Sequence, residues 1–174
     1  MMENLFFLLP AAAVLALVFA AIKARSVLKS SSGNEKMKSI SASIRAGAGA
    51  YLGRQYKTLL IFFAVVFCGL LIMAFGPWEI ELISKFTPFA FVTGGFFSAL
   101  SGYFGMKIAT AANARTAAGA SESLNRGLRI AFNAGTVMGF CVVGLALFDI
   151  SFWFFLLKYV FKLSDAALTS AMLT

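Results

Sequence analysis

The stretch Thr58-Leu59-Leu60-Ile61-Phe62-Phe63-Ala64-Val65-Val66-Phe67-Cys68-Gly69-Leu70-Leu71-Ile72-Met73-Ala74-Phe75 contains no charged side chain. As a helix rising 1.5 Å per residue it is about 27 Å long, close to the ~30 Å hydrocarbon core of a bilayer. Lipid offers the backbone no hydrogen-bond partner, so an apolar run of this length is read as a helix that satisfies its own amides. It ends in Gly76-Pro77-Trp78, a turn signal with an aromatic suited to the membrane interface.

Working outward, three more apolar spans are expected, over about 5–22, 86–112 and 130–148. The composition agrees, with 60% hydrophobic residues, 13% charged residues and a mean hydropathy of +0.88, too little charge to clothe a water-soluble domain. The first span is not a secretory leader. Glu3 precedes it and Lys23, Arg25 and Lys29 follow it, the reverse of the charge order such a leader needs. Pro10 lies near its start, where a mild kink is the most it should cause.

Basic residues sort the chain into two sides. Positions 23–57 and 107–129 hold most of them, whereas Lys85, Lys158 and Lys162 fall between or beyond the spans on the other side. Lys and Arg are retained on the cytoplasmic face, so the N-terminus is expected outside and the loops 23–57 and 113–129 inside. The net charge of +8 is thereby explained by topology. Nucleic acid is not an expected partner, since no basic stripe alternates with aromatic platforms.

The first cytoplasmic loop is not featureless. Met37, Ile40, Ile44, Ala48 and Tyr51 recur at helical spacing, with Lys36, Lys38, Arg45 and Arg54 flanking the stripe, which predicts an amphipathic helix. Ser32 followed by Glu35 suggests a capping box, with Gly33 and Asn34 forming the turn into it. Beyond Asp149, expected to close the fourth span outside, Phe152-Trp153-Phe154-Phe155 reads as interfacial, and Ser164-Asp165 as the start of another helix.

Candidate chemistry is sparse. The absence of histidine removes imidazole catalysis and the commonest zinc sites. Cys68 and Cys141 lie in apolar spans and are expected to be buried and inert. Gly47-Ala48-Gly49 with Gly53 lacks the preceding strand and following acid of a dinucleotide-binding turn, and is read as a helix-contact surface. The four-residue spacings of Gly94, Ser98 and Gly102, and of Gly135 and Gly139, are likewise read as packing strips rather than pore linings. Asn113 and Arg115 are the polar pair most open to a specific role, the plain alternative being capping and anchoring. Glu35 and Glu122 are the only cytoplasmic acids. Two isolated carboxylates cannot hold the magnesium ions that phosphoanhydride cleavage needs.

Two long segments carry a resemblance. The run Gly33-Asn34-Glu35-Lys36-Met37 through Ile44, Gly47-Ala48-Gly49-Ala50-Tyr51-Leu52 and Gln55-Tyr56 is similar to the first cytoplasmic loop of the membrane-integral pyrophosphatases. The run Gly102-Tyr103-Phe104-Gly105-Met106-Lys107-Ile108-Ala109-Thr110-Ala111-Ala112-Asn113-Ala114-Arg115-Thr116, with Ala131-Phe132-Asn133-Ala134-Gly135-Thr136-Val137-Met138-Gly139, resembles their third and fourth helices. The resemblance implies pyrophosphate hydrolysis coupled to export of protons or sodium, Mg2+ and in some members K+ as cofactors, a homodimer, and a multi-pass place in the cytoplasmic membrane. It also implies what is missing. The family's substrate site uses aspartates and lysines of later helices, so none of its catalytic, cofactor-binding or metal residues maps onto this chain.

The expectation is therefore an all-α integral membrane protein, four transmembrane helices plus an amphipathic cytoplasmic helix, part of a larger multi-helix pump bundle. Residues 1–149 form an N-terminal transmembrane region, and 150–174 an outer interfacial segment leading into a truncated next helix. The alternative is a free-standing four-helix structural or assembly subunit without enzymatic activity, which an ending inside an incipient helix disfavours.

Overall fold

A computed structural model describes residues 8–76 and 83–173, and among these the chain is all-α. The helices are α1 (Leu8–Lys29), α2 (Glu35–Phe75), α3 (Thr87–Glu122), α4 (Leu124–Phe155) and a short α5 (Asp165–Leu173), with one π-helical turn (Leu156–Val160) ending α4. Four helices are long and apolar enough to cross a membrane: α1, α2, α3, and α4 with its π turn. The Pro77-Trp78 turn, Glu3, Glu79 and Glu81 and the first residues of span 5–22 lie outside the described residues.

The helices are longer than the apolar spans inside them. At 1.5 Å per residue the 41 residues of α2 extend about 60 Å, twice a hydrocarbon core. The amphipathic helix expected in 32–56 is present, but it runs into the span at 58–75 without a break. Polar residues of ordinary helix propensity give the backbone no reason to stop at the lipid boundary. The start differs from expectation too: Asn34, not Ser32, caps α2, its side-chain oxygen accepting from the Met37 amide at 2.9 Å, and Gly33 enters the turn at φ +77°.

The stretch 113–129 is also helical apart from one residue. Ser123, extended at φ −163°, separates α3 from α4. Its amide donates to Gly119 O at 3.0 Å and its hydroxyl accepts from the Arg126 amide at 3.3 Å. Two glycines permit so tight a reversal. A Cβ on Gly127 would sit 3.0 Å or less from Ala120 backbone and side-chain atoms, and one on Gly119 would be 2.8 Å from Ile130 Cδ1.

In space the order is α1, α4, α3, α2. The α3–α4 interface is the most extensive, followed by α1 on α4, then α2 on α3. The core joins Ala20 and Val27 of α1, Ile108 and Ala112 of α3, and Ile130, Ala134, Val137 and Cys141 of α4. Small side chains dominate it because lipid supplies no hydrophobic drive between helices, leaving close van der Waals packing to hold them. The approach is close at Gly105 against Met138 and at Gly144 against Leu17.

Several sequence expectations are corrected here. A Cβ on Gly135 or Gly139 would meet nothing within 4 Å, because that strip faces away from α1 and α3. Of the other strip, Gly94 approaches the Asp149 carboxylate and Gly102 the Tyr56 hydroxyl, whereas Ser98 is exposed. Cys141 is buried but Cys68 is exposed, on the outer face of α2. Asp149 does not close α4; the helix continues six residues beyond it, to Phe155. Thr93 of α3 donates its hydroxyl to Ala90 O of its own helix at 3.1 Å and accepts from Trp153 Nε1 of α4 at 2.7 Å, clasping the two helices. Past the π turn, Leu168 of α5 packs against Trp153, Phe154 and Leu157.

Candidate functional site

The polar side chains that tie helices together gather at the basic end of the bundle. Arg115 of α3 is half-buried and reaches α1, its guanidinium donating to Leu28 O at 3.3 Å as well as to Ala111 O of its own helix. Leu28 O is one of the last carbonyls of α1, which carry partial negative charge and lack helical partners. Arg115 therefore supplies a C-terminal cap from a neighbouring helix. Nearly two turns before the end of α1, Lys23 Nζ donates to Asn133 Oδ1 of α4 at 3.3 Å and lies over the Phe19 ring. On the other flank Tyr56 of α2 donates its hydroxyl to Ala99 O of α3 at 2.7 Å.

Asn113 and Arg115, paired by the sequence reading, separate: Asn113 is exposed and Arg115 turns to α1. Positions two apart on a helix point about 200° away from each other. The Lys23–Asn133 link went unnoticed because its members are 110 residues apart and belong to no short pattern. The sequence did hold one hint, since Asn133 is a lone amide inside an apolar span.

Between α1 and α2 lies a groove of about 700 Å³, floored by α3 and α4. Leu17, Ala21 and Leu28 form one wall, Ala48, Gly49 and Leu52 the other, and Phe104 and Ala111 contribute from α3. Two cations reach it, Arg45 and Lys107, and no carboxylate lines it. A second cavity of about 490 Å³ lies near Asp149 and Trp153, walled by Phe86, Phe91 and Leu157.

The two acids at the basic end are occupied locally. Glu35 pairs with Lys38 at 2.8 Å, and that hydrogen bond and charge hold its carboxyl below the usual range. Glu122 pairs with Arg126 one turn on. Among the described residues no three His, Cys, Asp or Glu side chains converge as a metal site. The groove's donors are cations, which repel a divalent ion. The described residues do not fit a magnesium centre.

The sequence profile of inorganic H+ pyrophosphatases matches residues 14–174. The chain belongs to that family. A Bacteroides thetaiotaomicron protein provisionally named K(+)-stimulated pyrophosphate-energized sodium pump is 51% identical over 160 residues, covering 90% of this chain and 21% of its own length. A K(+)-insensitive pyrophosphate-energized proton pump 2 of Moorella thermoacetica is 42% identical over 152 residues, 87% of this chain and 21% of its own. A K(+)-insensitive pyrophosphate-energized proton pump of Methanosarcina mazei is 39% identical over 150 residues, 86% of this chain and 21% of its own. No solved structure matches. The chain thus spans about a fifth of the length of these pyrophosphatase relatives.

Proposed function

We propose that these helices are the N-terminal, bracing portion of a pump that hydrolyses inorganic pyrophosphate and moves protons or sodium across the cytoplasmic membrane. The observation that carries the reading is the family match across 14–174, combined with relatives named as pumps that are several times longer. The proposed placement has the N-terminus outside, spans near 5–22, 58–75, 86–112 and 130–148, and residues 23–57 and 113–129 inside, following the lysine and arginine distribution. Residues 150–174 then form the outer connection into the next helix. A homodimer in the lipid bilayer, a magnesium requirement and a possible role for potassium follow from the family resemblance.

Within such a pump this stretch supplies architecture. Arg115 and the Lys23–Asn133 contact fix α1 to α3 and α4 at the basic end, and the Thr93–Trp153 bond fixes α3 to α4 near the opposite end. Magnesium, bound by residues outside this chain, would neutralise the pyrophosphate and activate the attacking water. We assign no catalytic, cofactor-binding or metal residue to the 174 positions. Relatives named as sodium pumps and as proton pumps both align across this stretch, which supports locating the choice of ion in the remaining four fifths.

The test is phosphate release from pyrophosphate by the detergent-purified chain, alone and co-expressed with the complementary four fifths of the Bacteroides relative. The chain alone should release none, and the pair should show magnesium-dependent hydrolysis. Activity of the chain alone, or a pair that assembles without activity, overturns the proposal.

A further inference from the structure

We infer that the groove between α1 and α2 is the seat of a membrane helix from the remaining four fifths of the pump, and that this helix carries a carboxylate facing Arg45 and Lys107. The inference rests on the proposed function, because that reading supplies the missing polypeptide. The relatives are roughly five times the length matched here, so many further helices must pack somewhere, and none of the α2 residues that wall the groove is buried among the described residues.

Charge selects the kind of occupant. Arg45 Nε donates only to Ser41 O, at 3.4 Å, and Lys107 sits 5.3 Å over the Tyr103 ring. Neither has an acidic partner among the described residues, whose salt bridges join Lys38 to Glu35 and Arg126 to Glu122. Covering two cations with apolar surface is expensive unless the cover brings negative charge.

Backbone exposure decides between a helix and an anionic lipid. Gly49 lines the groove and would meet nothing within 4 Å if it gained a Cβ, yet it costs about 1 kcal/mol of helix propensity relative to alanine. No described residue uses the space it leaves. A rigid helix gains close van der Waals contact from such bare backbone, whereas a flexible acyl chain accommodates an alanine methyl equally well.

The experiment places p-benzoylphenylalanine at Leu52 in the tagged chain, co-expressed with the complementary part of the Bacteroides relative, and maps the photo-adduct by mass spectrometry. We expect an adduct on a transmembrane peptide with Asp or Glu within one turn. The variants Gly49→Leu and Arg45→Glu/Lys107→Glu should each reduce recovery of the complementary part at least tenfold, while circular dichroism shows the helix content of the tagged chain unchanged. An adduct on phospholipid or on a second copy of this chain overturns the inference, as does failure of the two parts to co-purify or undiminished recovery with Gly49→Leu. If the expected adduct forms but the pair hydrolyses no pyrophosphate, the docking stands and the pump assignment fails.

Discussion

Glycines line both the α3–α4 seam and the open flank of α2, with opposite consequences. At Gly105, Gly119 and Gly127 an added Cβ would collide with the facing helix or with the hairpin's own turn, whereas at Gly47, Gly49, Gly53 and Gly69 it would enter open space. The difference extends beyond glycine: nine residues of α3 and ten of α4 are buried, but only Ser41 of the 41-residue α2. The seam is complete within these residues, and the α2 flank stands open among them.

The contrast can be broken most severely at the hairpin. Gly127→Leu forces a branched side chain into the Ala120 backbone and should destabilise the chain by about 3 kcal/mol, the upper range for overpacking, read as an earlier midpoint in SDS titration from mixed micelles. An intermediate effect is expected at Arg115→Met, which keeps the aliphatic bulk but removes the donor to Leu28 O. The loss should be about 1 kcal/mol, and hydrogen exchange should rise in the last turn of α1 without change in α2. The smallest effect sharpens the comparison from the other side. Gly47→Ala should leave the chain alone unharmed or more stable by up to ~1 kcal/mol, and a clear loss would show that the flank is already packed.

Four helices long and apolar enough to cross a membrane were legible in the sequence because lipid thickness imposes a length on apolar runs. Helix ends were not. Apolarity marks where a helix meets lipid, while the helix continues wherever its backbone bonds do, so α2 extends back to Glu35 and α3 on to Glu122. Asp149 was taken as the end of the fourth span because it carries a charge, whereas α4 continues to Phe155 and Asp149 lies beside Gly94 of the neighbouring helix. Spacing rules identified Gly94 and Gly135 as equivalent. Only the three-dimensional partner separates a strip against Asp149 from one against nothing. At the basic end Arg115 was found by type and position, but its target, a carbonyl 87 residues away, has no sequence signature.

The most direct test is the sidedness of the helix ends. In a Cys68→Ser/Cys141→Ser background, single cysteines at Ser32, Ser121, Ser84 and Ser164 would be labelled with a membrane-impermeant maleimide in right-side-out and inverted vesicles. Ser32→Cys and Ser121→Cys should react only in inverted vesicles, and Ser84→Cys and Ser164→Cys only in right-side-out ones. Reaction of Ser32→Cys and Ser121→Cys from opposite faces would contradict the four crossings and the common basic end on which the groove and its partner depend.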